Sequence, residues 1–123
     1  MFDETILPKY LYHATLKKNI PSIMRNGIRP RRFWPLVYLS DVPETAALEA
    51  SAGRFLKERD FELLRIKFSD LEFDRFYDKQ DPWYAYVGGV YLYRGTIPSD
   101  AIEQIGTYKV KVLSNGRGYA QKL

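Results

Sequence analysis

The chain has 123 residues, with nineteen Lys and Arg against fifteen Asp and Glu, one His and no Cys. That length supports one domain around one hydrophobic core. The absence of cysteine excludes disulfides, thiolate catalysis and cysteine-based zinc, a lone His13 excludes a histidine-rich metal site, and a net charge of +4 suits an anionic ligand or nucleic acid without requiring either.

No segment approaches the roughly 18 apolar residues that span a bilayer. The opening MFDETILPKY carries acids where a signal peptide carries bases. The expectation is a soluble, cytoplasmic protein with no membrane contact and no metal site.

In chain order, residues 10–13 read as a short buried strand. Asn19 can cap a helix from Ile20, with Pro21 in its first turn and Gly27 as its stop. The segment RPRRFWP (29–35) reads as an exposed basic loop, and LVYLS (36–40) as a second strand. Asp41, followed three residues later by Glu44, resembles a capping box opening a second helix that runs to about residue 58. FELLRIKF (61–68) alternates, with Leu64, Ile66 and Phe68 on one face of a strand. A long polar and aromatic connection follows, then a strand over 90–95, a corner over 97–106 and an alternating strand over 108–113 near a sheet edge. The order is β-α-β-α and then mostly β, an α+β domain over 1–113 with a flexible tail over 114–123.

Four fragments in order carry a family pattern: LYHAT (11–15), IPSIMRNGIRP (20–30), VYLSD (37–41) and YRGTIPSDAI (93–102). Together they resemble the ADP-ribosyltransferase superfamily, including its RNA 2'-phosphotransferase branch. The likeness covers 11–50 well and 90–105 moderately, and leaves 51–89 without a diagnostic feature.

The resemblance implies a split β-sheet with two helices in its N-terminal half and NAD, as co-substrate, in a cleft between the sheet halves. His13 and Tyr38 would be the catalytic pair, with His13 on the ribose beside nicotinamide and Tyr38 stacked on the nicotinamide ring. Ala14 would face the nicotinamide amide through its backbone, Thr15 would support the turn, and Ser40 would lie beside Tyr38. Arg29, Arg31 and Arg32, with Arg25, could clamp a pyrophosphate or an RNA phosphate through their forked guanidinium groups.

One family position departs. Transferases with a His-Tyr-Glu triad keep a Glu on the late strand, where this chain has Gly89 or Val90. The acid could instead come from Glu72, Asp74, Asp78 or Asp81. The resulting expectation is transfer of ADP-ribose from NAD to a nucleic acid or protein acceptor. Two alternatives stay open: an RNA 2'-phosphotransferase-like enzyme using NAD, and a catalytically inactive module binding a nucleotide or RNA. The plain reading of each residue stands beside these, with His13 and Tyr38 as packed strand residues and Ser40 as a helix-start residue.

Overall fold

A computed structural model of the chain describes residues 8–30, 35–52, 59–76, 90–112 and 118–123. In chain order it contains β1 (Tyr10–Thr15), α1 (Ile20–Asn26), β2 (Leu36–Ser40), α2 (Pro43–Ala52), β3 (Arg59–Lys67), β4 (Val90–Arg94), β5 (Ile102–Val112) and β6 (Gly118–Lys122). The described strands form one antiparallel sheet in the order β4-β2-β1-β3-β5-β6, so the architecture is α+β. Among the described residues no helix is long and apolar enough to cross a membrane.

Period-two alternation sorts the core onto the two faces of this sheet. On one face, Leu11, Val37, Leu39, Leu64, Ile66 and Ile102 pack under Ile23 of α1 and under Phe68, Leu71 and Phe76. On the other, Ala14, Phe61, Leu63, Tyr108 and Val110 pack under Ala46 and Ala47 of α2. The small residues Ala14, Ala46 and Ala47 let α2 approach β1 closely. Leu11, Phe61, Leu63, Leu64, Ile66, Ile97 and Val110 are fully buried, each contributing about 1.5–3 kcal/mol by removal from water.

The helix stop at Gly27 is as expected, and its cause lies in the packing. Gly27 has φ of +83°, and a Cβ there would lie 2.1 Å from the Ile97 carbonyl oxygen. That close approach allows Ile28 and Ile97 to exchange two backbone hydrogen bonds, each 2.9 Å. The second and fourth family-like fragments therefore meet in space.

Several expectations are corrected. Asn19 already has helical dihedrals because a 3-10 turn precedes it, so it makes no side-chain cap; its amide donates instead to the Thr15 hydroxyl at 3.0 Å. Asp41 does not cap α2 either. Pro43 has no N–H to offer, and the amide of Val42 donates to the Ser40 hydroxyl at 3.1 Å. The corner expected over 97–106 reduces to a 3-10 turn at 99–101, and β5 begins at Ile102. Residues 118–122, expected as part of a flexible tail, form β6 with five registered pairs to β5. Ala120 anchors it opposite Val110 on the α2 side. The end of the second expected helix and the Asp78 and Asp81 positions lie outside the described residues.

Candidate functional site

β1 is bordered very differently on its two sides. Against β3 it makes six registered pairs, from Tyr10 with Lys67 to Thr15 with Glu62. Against β2 it makes one, Tyr12 with Ser40. Both strands run on beyond that pair, β1 through 13–15 and β2 back through 36–39, with no further pair registered between them. The other junctions carry five or more pairs.

His13 stands where this pairing ends. Its ring Nδ1 lies 2.8 Å from the carbonyl oxygen of Tyr38. A carbonyl only accepts, so Nδ1 carries the hydrogen and donates, which fixes the tautomer and makes Nε2 the acceptor of the neutral ring. A side chain thus ties together two strands whose main-chain pairing has ceased.

The family-like residues gather unevenly around this link. Ala14 is buried against α2, and Thr15 is buried with its hydroxyl accepting from Asn19. Ser40 is buried in the Tyr12 row and engaged with Val42. The Tyr38 backbone meets His13, but the two side chains leave the sheet on opposite faces. Val37 and Leu39 belong to the α1-side core, so alternation carries Tyr38 to the α2 side. Tyr12 and Ala14 belong to the α2-side core, so His13 emerges on the α1 side. Arg29 is exposed just after the Ile28–Ile97 bridge, and Arg31 and Arg32 lie outside the described residues.

Val90 pairs with Ser40 and so lies in the same row as Tyr12, with no acid at that position. Of the acids proposed from the long connection, Glu72 is an exposed partner of Arg75, and Asp74 is exposed. Arg75 is held further toward its charged form by that Glu72 contact.

Two other carboxylates lie deeper. Asp41, just past β2, has a buried Oδ1 without a hydrogen-bond partner. The hydroxyl of Tyr91 is pushed upward in pKa by burial first and by the Asp41 charge second. Glu62 of β3 is 8% exposed and sits directly across from Thr15. It was missed in the sequence, although it is in phase with Leu64, Ile66 and Phe68 and therefore shares their face.

A groove of about 240 Å³ lies at the opposite end of the sheet, with Tyr10, Arg65, Lys67, Asp70, Asp100 and Glu103 on its walls. The guanidinium of Arg65 covers the Tyr10 ring at 4.4 Å and pairs with Glu103 at 2.7 Å, so this groove is largely self-satisfied.

A scan against protein-family models finds no match, and a search of curated proteins finds no significant relative.

Proposed function

We propose that this chain is an NAD-binding, ADP-ribosyltransferase-like protein whose ligand cleft is the β1–β2 junction. The observation that carries this reading is the His13 link. The histidine and the Tyr38 backbone, from two separate family-like fragments, meet where β1–β2 pairing stops. A ligand entering there meets His13 from one face and Tyr38 from the other. With Nδ1 donating to Tyr38, Nε2 is the ring atom that would accept from a ribose hydroxyl in this reading.

In this reading the glycosidic C–N bond of NAD breaks and its electron pair leaves with nicotinamide, which becomes neutral. A nucleophilic atom of the acceptor bonds to C1' of the ribose as its proton passes to solvent. Orienting the ribose and countering the developing positive charge are what the chain supplies. The acceptor is a nucleic acid or a protein side chain.

A second reading, a nucleotide- or RNA-binding module without turnover, is favoured by Val90 in the row of Ser40 and Tyr12. The RNA 2'-phosphotransferase alternative has the same hydrophobic position in its favour.

Incubation with NAD, following nicotinamide release and thermal shift, separates the three. Release by wild type that His13→Ala loses supports the transferase. A thermal shift without release supports the silent module. Turnover only with a 2'-phosphorylated oligonucleotide supports the phosphotransferase. Neither shift nor turnover with any of these ligands contradicts NAD binding altogether.

A further inference from the structure

Glu62 is an unusual carboxylate. It is buried, and among the described residues it forms no ion pair with Lys, Arg or His. Its donors among the described residues are neutral: the Gln104 amide at 2.9 Å, and the Thr107 hydroxyl at 3.1 and 3.2 Å from the two oxygens. A hydroxyl has one proton to give, so these two side chains supply two donors to a group with about four acceptor directions. Acceptor capacity remains on the carboxylate among the described residues.

The strand beside Glu62 is shaped around it. In a regular strand, residues 104 and 107 project to opposite faces. Here Leu63 pairs with Gly106 and Leu64 with Gln104, so Ile105 is an extra residue in β5. This bulge brings Gln104 and Thr107 to the same face, where both reach Glu62. On the other flank, Thr15 pairs with Glu62 and His13 pairs with Leu64, which places His13 and Glu62 diagonally on the same α1-side face. Diagonal neighbours of this kind are about 7–8 Å apart at Cα, within reach of one ligand ring.

A buried carboxylate whose described donors are all neutral is stabilised, when ionised, by a positive group brought to it. We infer that Glu62 is the counter-charge of the His13 site and takes a cationic ring of a bound ligand, the pyridinium ribosyl group if that ligand is NAD. This rests on the NAD reading above. Asp41 is the competing carboxylate. It lies past the end of β2, beyond the registered Tyr12–Ser40 pair, whereas Glu62 flanks the stretch where β1 runs on beyond that pair.

NAD in its oxidised form carries the pyridinium charge, and NADH has nearly the same shape without it. Calorimetric or thermal-shift titration of wild type with both is expected to show at least about a tenfold preference for the oxidised form, as for loss of one charged contact. Glu62→Gln is expected to bind the two forms alike, while Asp41→Asn, which removes the same charge elsewhere, keeps the preference. Thr107→Val, which loosens the carboxylate without removing it, is expected to weaken the preference. The wild-type comparison needs no variant, so a poorly folded Glu62→Gln does not block the test. Equal binding of both forms by wild type overturns the role of Glu62 and leaves nucleotide binding standing. A preference that survives in Glu62→Gln, or is lost in Asp41→Asn instead, also overturns it. Binding of neither form removes the NAD reading and this inference with it.

Discussion

The two borders of β1 use different physics. Toward β3 the strand is closed by six registered pairs and by the fully buried Leu11, Leu64 and Ile66. Toward β2 it has one registered pair, and the His13 imidazole reaches across to the Tyr38 carbonyl. His13 and Leu64 sit directly opposite each other in the register, so neighbouring positions on one face divide the work. The apolar border holds the fold, and the sparse border is where the proposed ligand would enter.

Substitutions on the two sides should therefore separate stability from binding. Leu64→Ala is expected to cost about 2–5 kcal/mol in urea unfolding, because a fully buried side chain leaves a cavity. NAD affinity of the folded fraction should change little. A comparable loss of binding would break the division. Gly27→Ala acts on the clamp between the second and fourth fragments. The added Cβ would fall 2.1 Å from the Ile97 carbonyl oxygen, and with the positive φ this predicts a loss of about 3 kcal/mol, read in the same unfolding curves. A neutral effect would mean that the Ile28–Ile97 bridge is not needed.

His13→Ala should show the reverse balance. It removes the side-chain hydrogen bond to the Tyr38 carbonyl, worth about 1 kcal/mol of stability, but is expected to abolish the NAD-induced thermal shift. If stability falls by several kcal/mol and the shift persists, His13 is a structural staple only.

The smallest effect concerns α2, which packs across both borders. Burial raises the pKa of Glu49, so the folded state holds this proton more tightly than the unfolded state. Stability from this group is full below its unfolded pKa of about 4.5 and declines as pH rises through the higher folded value. Glu49→Gln should thus raise Tm slightly at pH 7 and leave it nearly unchanged at pH 4. An equal shift at both pH values would point to packing instead of ionisation.

Much of the fold was legible because it is local. LVYLS formed β2 over the expected residues, and the apolar phase of FELLRIKF gave the face of β3. The stop at Gly27 was also readable, although its reason, the Ile97 carbonyl, lies seventy residues away in sequence. β6 was not readable, since its buried side holds little beyond Ala120 and the preceding residues have loop composition. Nor was the choice of Ser40 over Asp41 at the start of α2, which depends on where the amide of Val42 points. In the candidate site, His13 stood out as the sole imidazole, and the ordered fragments linked it to Tyr38. Glu62 did not stand out. Its partners are more than forty residues on, and they share its face only because Ile105 is inserted in β5.

The most direct test is hydrogen–deuterium exchange of the whole chain with and without NAD. A ligand at the sparse border predicts slowed exchange over 12–16 and 36–41, with 65–70 and 100–103 unchanged. No protection at the β1–β2 junction, or protection confined to the groove around Arg65 and Glu103, contradicts it.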